Sequence, residues 1–214
     1  MATRSPGKMR EIRRILSDVP GLEVLDLDDA GIGYTSEEDD LEPYGTFEEN
    51  ALSKARYFHG RSGLPTVADD SGIEVDALGG APGVRSKRFA PEAGDDGEGL
   101  EGQALDDANN RYLVARLQGV APGDRTARYV CVAILLADDT APLTIRGEAP
   151  GVIVDEASGS GGFGYDPHVF DPTLGKTFAQ MTPDEKDARS HRGHAFRSVA
   201  DELRRRLDPT RVAT

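Results

Sequence analysis

The run Ala127-Arg128-Tyr129-Val130-Cys131-Val132-Ala133-Ile134-Leu135-Leu136-Ala137 limits the possible folds more than any other stretch. Its β-branched residues favour extended backbone, and from Val130 on no polar residue alternates with the apolar ones, so the strand must be covered on both faces. It is therefore expected at the interior of a sheet. It falls well short of the roughly 20 apolar residues that span a bilayer, and residues 1–8 lack the apolar stretch of a secretory signal. The cytoplasm is the expected compartment.

The cover for such a strand is legible as helices. Met9, Ile12, Ile15 and Leu16 recur at three to four residues, predicting a helix from near Gly7 to before Pro20. Thr46 with Glu49 fits a capping box, and Phe47, Ala51, Ala55 and Phe58 then share one face of a helix reaching about Gly60. Leu105, Ala108, Tyr112 and Leu113 predict a third. Thr182, Pro183 and Glu185 open a terminal helix whose stripe is Phe196, Val199, Ala200, Leu203 and Leu207. Extended segments are expected at 64–75, broken at Asp69-Asp70-Ser71-Gly72, and at 143–146 and 152–155. Residues 26–45 read as an acidic loop. Helices and strands alternate without a repeat, so the class is α/β, in one domain over residues 1–214.

Charge narrows the function. Lys plus Arg number 25 and Asp plus Glu 38, a net charge of −13, which opposes binding to nucleic acid or an anionic membrane. A phosphate ligand would need a local basic pocket or a metal. The lone cysteine, Cys131, excludes an internal disulfide and a cysteine-cluster zinc site, leaving it as core filler.

Acids and cations are distributed to supply both. Asp69 and Asp70 precede Ser71-Gly72, a pattern that is more often a turn cap than a catalyst, but Glu42 lies in the acidic segment upstream. Hard carboxylate oxygens suit Mg²⁺, which takes one or two of them together with substrate phosphates. Thr3, Ser5, Gly7 and Lys8 sit at a helix N-terminus, where free amides favour phosphate, and Lys54, Lys186, His191 and Arg192 add positive or donor groups. Residues 159–167 combine four glycines with Phe163, a flat ring for stacking a base, although such a loop also serves as a plain turn.

In their order, Thr46-Phe47-Glu48-Glu49-Asn50-Ala51 with Lys54, Ala68-Asp69-Asp70-Ser71-Gly72, Leu78-Gly79-Gly80-Ala81-Pro82-Gly83, Gly161-Gly162-Phe163-Gly164-Tyr165-Asp166-Pro167, and Lys186 with Ser190-His191-Arg192-Gly193 resemble the inosine triphosphate pyrophosphatase (Ham1-like) family over nearly the whole chain. The resemblance implies a mixed α+β fold of the ITPase/Maf-like kind, with an elongated mixed sheet flanked by helices, two lobes around a central cleft, and a homodimer. It implies Mg²⁺-dependent hydrolysis of noncanonical purine nucleoside triphosphates (inosine, deoxyinosine and xanthosine triphosphates) to the monophosphate and pyrophosphate. Carried over by position, Asp70 is the general base and metal-linked acid, Glu42 the second metal acid, Asp69 a supporting carboxylate and Lys54 a catalytic lysine. Ser71 contacts substrate, Thr3, Ser5, Gly7 and Lys8 hold phosphate, and Phe163, Gly164, Tyr165, Asp166, Lys186, His191 and Arg192 recognise the base. Two departures stand out: Ser5 replaces the family's usual asparagine, and Met1-Ala2 leaves only the last residues of the strand before that loop. A nucleotide-binding regulatory module without turnover, and a pyrophosphatase for other modified nucleotides, are the alternatives.

Overall fold

The computed structural model describes residues 1–94, 99–137 and 140–208. In chain order its elements are α1 (Pro6–Leu16), α2 (Phe47–Ser62), β1 (Thr66–Val75), α3 (Phe89–Glu92), α4 (Gly102–Arg116), β2 (Thr126–Leu136), β3 (Leu143–Ile153), β4 (Val169–Asp171), β5 (Lys176–Thr177), α5 (Pro183–Arg189) and α6 (His191–Leu207). The strands form one sheet in the order β1-β2-β3-β4-β5, and β4 pairs antiparallel with both β3 and β5. The class is mixed α+β, as expected. β2 is an interior strand, and residues 130–134 along it are at most 1% exposed, as a two-sided apolar run requires.

The chain divides into two compact units. The first comprises Met1–Asp70, Cys131–Gly147 and the segment from Ser190 on. Its core joins Ile12 and Leu16 of α1, Val67 of β1, Leu135 of β2, and Phe196 and Val199 of α6. α1 and α6 pack together, bringing their predicted stripes face to face except at Leu207, which is 46% exposed near the end of α6. Each fully buried Phe or Val of these stripes is worth about 1.5–3 kcal/mol of transfer free energy. Cys131 is part of this core, and burial pushes its thiol up. The second unit comprises Ser71–Val130 and Glu148–Arg189, with a core of Ile73, Leu113, Tyr129, Ile153, Val169 and Phe178. No helix among the described residues is long and apolar enough to cross a membrane.

Three local expectations are corrected. The break at residues 69–72 does not occur: β1 runs unbroken from Thr66 to Val75 with nearly every side chain buried, because each acid finds its own partners on its own face. The two short strands at 143–146 and 152–155 are one strand, β3. Gly147, Pro150 and Gly151 suggest an interruption, but β4 is registered only against Val152 and Ile153, so the missing N–H of Pro150 lies outside that ladder. The terminal helix is two helices, since Ser190 adopts extended backbone and its hydroxyl accepts the Gly193 N–H at 2.9 Å, starting α6 afresh. The acidic loop contains a 3₁₀ turn at Ser36–Asp40.

Candidate functional site

In the first unit the chemistry gathers where α2 lies beside β1. Thr46 caps α2 by accepting the Glu49 N–H at 3.2 Å and donating to the Glu49 carboxylate at 2.6 Å. This fixes the register that points Asn50 and Lys54, one turn apart, inward; both are buried. Lys54 Nζ donates to the Glu42 carboxylate and, at 2.5 Å, to the Asp69 carbonyl. Asn50 Nδ2 donates to Asp70 Oδ2 at 3.0 Å, while its amide oxygen accepts the Tyr44 N–H. Glu42, Lys54 and Asp70 are thus brought together, as expected.

Their electrostatics differ. Burial pushes the Asp70 carboxyl above its ordinary value; Lys54 pulls the other way, while the nearby Glu42 charge pushes it further up. Glu42 is itself held below its ordinary value, its burial outweighed by Lys54 and Lys8. Burial works against the Lys54 ammonium, yet Glu42, Asp70 and Asp69 hold its pKa up. Lys54 is the buried cation of this set, and Lys8 adds positive charge from α1. Among the described residues no group of three or more His, Cys, Asp or Glu is placed to hold a metal. A pair of hard-oxygen carboxylates is nevertheless the donor set Mg²⁺ takes beside phosphates, and Glu42 with Asp70 fits it.

Asp69 faces elsewhere. Adjacent strand residues point to opposite faces, and Asp69, fully buried, meets Lys8 Nζ of α1 at 3.0 Å and Arg192 of α6 at 3.5 Å. Burial pushes its carboxyl up, but Lys8, Arg192 and Lys54 hold it far below the usual carboxylate range. Arg192, 2% exposed, also donates to Glu11 at 2.6 Å. It is thereby tied to Glu11 of α1 and Asp69 of β1 within the first unit. His191 is likewise buried, at the first position of α6. At the start of α1, Ser5 Oγ accepts the Lys8 N–H at 3.3 Å and Thr3 Oγ1 accepts the Ser5 N–H at 3.2 Å. Both hydroxyls keep an O–H to donate, and Pro6 has no N–H to offer. Met1 and Ala2 bind back to Leu25 and Val67 through their nitrogens at 2.7 and 2.9 Å, which holds the segment leading into α1 in place. Ser71, half-buried, follows Asp70 on β1.

In the second unit the glycine-rich loop is an ordered hub. Asp166 accepts the Phe163 N–H at 2.9 Å, the Lys186 ammonium at 2.7 Å and the Tyr129 hydroxyl at 3.0 Å. Lys186 Nζ stands 4.9 Å from the centroid of the Phe163 ring, which is 37% exposed. A Cβ on Gly162, whose φ is +75°, would lie 2.0 Å from Asp166 Oδ2, so this glycine is required for the close approach. Tyr165 is buried and donates to the Ser86 carbonyl at 2.7 Å. Gly164 donates its N–H to Asp106 at 2.8 Å and accepts from Asn110 at 2.9 Å.

The first unit thus holds a buried cluster of acids and lysines, and the second a clamped aromatic loop. A profile of the Ham1 family matches residues 1–202. The chain belongs to the Ham1 family. The dITP/XTP pyrophosphatase of Yersinia pseudotuberculosis is 44% identical to it over 206 residues, 95% of this chain and 96% of that protein. The dITP/XTP pyrophosphatase of Ralstonia nicotianae is 45% identical over 206 residues, 95% of each chain. Among solved structures, the Ham1 protein of Staphylococcus aureus aligns with a TM-score of 0.78 at 32% identity, covering 96% of this chain and 97% of that one. The nucleoside-triphosphatase / dITP/XTP pyrophosphatase of Mycobacterium abscessus aligns at 0.67 and 36% identity, covering 92% and 94%.

Several residues that shape this Ham1 chain escape a reading by motif. Tyr129 is hidden in the apolar run of β2 and reveals itself only as a partner of Asp166. Asn109 and Asn110 are buried inside a helix; asparagine is a poor helix former, and that misplacement is a signal the sequence does carry. Gly147 has a different reason, because a Cβ there would stand 2.2 Å from the His191 carbonyl oxygen. It lets β3 approach the first turn of α6.

Proposed function

We propose that this Ham1 protein hydrolyses noncanonical purine nucleoside triphosphates, among them deoxyinosine, xanthosine and inosine triphosphates, to the monophosphate and pyrophosphate with Mg²⁺. The observation that carries the reading is Asp70, a buried carboxylate with an upward-pushed pKa set beside the Lys54 ammonium and Glu42. Glu42 and Asp70 would hold the Mg²⁺, which when bound supplies positive charge against the phosphate oxygens. Asp70 takes a proton from water as the water oxygen bonds to the α-phosphorus and the bond from that phosphorus to the leaving pyrophosphate oxygen breaks. Asn50 fixes the orientation of Asp70 through its amide. Lys54 and Lys8 offset charge on the departing pyrophosphate, with the hydroxyls of Thr3 and Ser5, the Gly7 backbone and Ser71 as further phosphate contacts.

Base selection falls to the loop of the second unit. Phe163 offers the stacking face, and the Lys186 ammonium, held by Asp166 at 2.7 Å, is the cationic donor at this loop that would meet a 6-oxo oxygen. Adenine presents an amino donor at that position, and donor facing donor in a dry site is penalised. The family resemblance adds His191 and Arg192 to base recognition, and within the first unit Arg192 is paired with Glu11 and Asp69. The same reading has the protein acting as a homodimer in the cytoplasm on free nucleotides, and the net charge of −13 supports a small-molecule substrate over nucleic acid.

Pyrophosphate release from inosine, deoxyinosine, xanthosine, guanosine and adenosine triphosphates, with Mg²⁺ and with excess chelator, tests the proposal. The expected outcome is fast release from the first three, slow release from the last two, and none with chelator. Equal rates on all five would reject the substrate class, and tight binding without release would favour the regulatory module.

A further inference from the structure

Asp106 and Asn110 stand one turn apart on the same face of α4, and together they take both polar groups of Gly164. Asp106 Oδ2 accepts its N–H at 2.8 Å and Asn110 Nδ2 donates to its carbonyl at 2.9 Å. Gly164 has a φ of +64° and a Cβ on it would meet nothing, so its glycine serves backbone conformation alone. Both of its peptide groups lie outside the sheet and helices, and α4 supplies their partners. On either side the loop is pinned again, by the Gly161 N–H on the Ala179 carbonyl at 2.9 Å and by the Tyr165 hydroxyl on the Ser86 carbonyl at 2.7 Å. Phe163 sits between these fixed points. α4 is anchored in turn by Asn109, whose amide bridges the Ala90 N–H and the Lys87 carbonyl at 2.9 and 3.0 Å.

Asn110 costs the fold something. It is 6% exposed, and its amide oxygen is buried with no hydrogen-bond partner among the described residues. A buried orphan acceptor is unfavourable, and an apolar side chain of similar size avoids that cost. Asparagine is also a poor choice for a helix interior. What it supplies in return is the bond to Gly164. Asp106 shows the same tension, since burial pushes its carboxyl up and the Gly164 N–H draws it back.

We propose that Asp106 and Asn110 are positioning residues for base selection, holding Gly164 from both sides so that Phe163 and the Asp166–Lys186 pair keep the geometry in which a purine is read. The proposal rests on the assignment of that loop to the base. Neither residue touches substrate; they act through Gly164.

The test uses the full chain with Asn110→Leu, Asp106→Ala, Asp106→Asn and Phe163→Ala, each measured for kcat and KM on deoxyinosine and deoxyadenosine triphosphates and for its urea midpoint. Asn110→Leu is expected to keep or raise the midpoint and leave kcat within about twofold. It should raise KM for deoxyinosine triphosphate about threefold to tenfold, the worth of one hydrogen bond, and lower the preference over deoxyadenosine triphosphate by a similar factor. Asp106→Ala should do the same, and Asp106→Asn, which still offers an oxygen to the Gly164 N–H, should restore the native KM. Native KM and preference in Asn110→Leu and Asp106→Ala, alongside a changed Phe163→Ala, overturn the inference and leave the loop assignment standing. A native-like Phe163→Ala overturns the loop assignment itself. A lowered midpoint with kcat and KM shifting together, or failure of both Asn110→Leu and Asp106→Ala to fold, shows a purely structural role and also overturns the inference.

Discussion

Asp70→Asn should separate turnover from stability, because the group that does the chemistry is one the fold holds at a cost. Asp70 is 7% exposed, and burial, reinforced by Glu42, keeps its carboxyl above the ordinary value despite Lys54, Lys8 and the Asn50 amide. A folded pKa above the unfolded one, about 3.9 for Asp, means that the folded state binds the proton more tightly. That advantage is fully present below the unfolded value and is lost as pH rises through the folded one, so at neutral pH the folded chain bears the whole cost of ionising Asp70. Asparagine has the same shape and still accepts the Asn50 N–H, without the charge. Lys54 keeps Glu42 and the Asp69 carbonyl as partners. In excess chelator at pH 7, Asp70→Asn should therefore be more stable by about 0.5–2 kcal/mol, the usual yield of relieving a strained functional site. The gain should vanish below about pH 4, where both states carry the proton. Turnover should fall about 10²–10⁴-fold, the range for a positioned general base. Urea unfolding at both pH values and pyrophosphate release supply the two readings. A variant less stable than the parent at pH 7 in chelator, or one within tenfold of its turnover, would refute the argument.

Lys54→Met should behave in the opposite way: it strands Glu42 and Asp70 without their shared buried cation, so both turnover and about 3–5 kcal/mol of stability should be lost in the same urea and release assays. Gly162→Ala drives a methyl into Asp166 Oδ2 at a positive φ and should cost about 1–3 kcal/mol, together with an increase in KM larger than any change in kcat. Asp171 is a pH marker of the second unit: its burial pushes the carboxyl up, but Arg189 and the N–H groups of Thr173 and Leu174 hold it below the ordinary value. Its contribution is thus present above the unfolded pKa and disappears as pH falls through the folded one, so Asp171→Asn should lower stability at pH 7 and flatten its fall below about pH 4.

What the sequence made legible follows from the range of the interactions involved. β2 and the stripes of α1 and α6 were readable because periodicity is local and burial rewards it. The capping box at Thr46 was readable because Thr and Glu three residues apart bond within one turn. The continuity of β1 and β3 was not, because Gly72, Gly147 and Pro150 are local signals for a break, and only partners far along the chain decide that the ladder continues. Arg192 illustrates the same limit at the site. A cationic residue in a turn-like motif looks available to a ligand, and its capture by Glu11 and Asp69 depends on contacts across more than a hundred residues. Asp106 and Asn110 were invisible for the same reason, since Gly164 lies more than fifty residues away.

The pair Asp69-Asp70 shows how little sequence separates two opposite electrostatic tasks. On a strand, neighbours face opposite sides. On one side α1 and α6 give Asp69 two cations, and its carboxyl is held far down as a fixed anion. On the other, α2 gives Asp70 an amide and a lysine already shared with Glu42, and its carboxyl is held up. Environments that drive two like groups apart are how one fold obtains both a permanent charge and a titratable base. The fixed anion has a further consequence for the base: Asp69 draws Lys8 to 3.0 Å, so in the free protein that lysine is already ion-paired on the far face, although its charge also reaches Asp70 and Glu42. A phosphate arriving at α1 must compete with Asp69 for it. Asp69→Asn, by releasing Lys8, should tighten substrate binding even as it loosens α1 from α6, and the measurement that decides is KM against urea midpoint in the same variant. If KM rises as stability falls, Lys8 is not shared between the two anions and the division of labour along β1 is wrong.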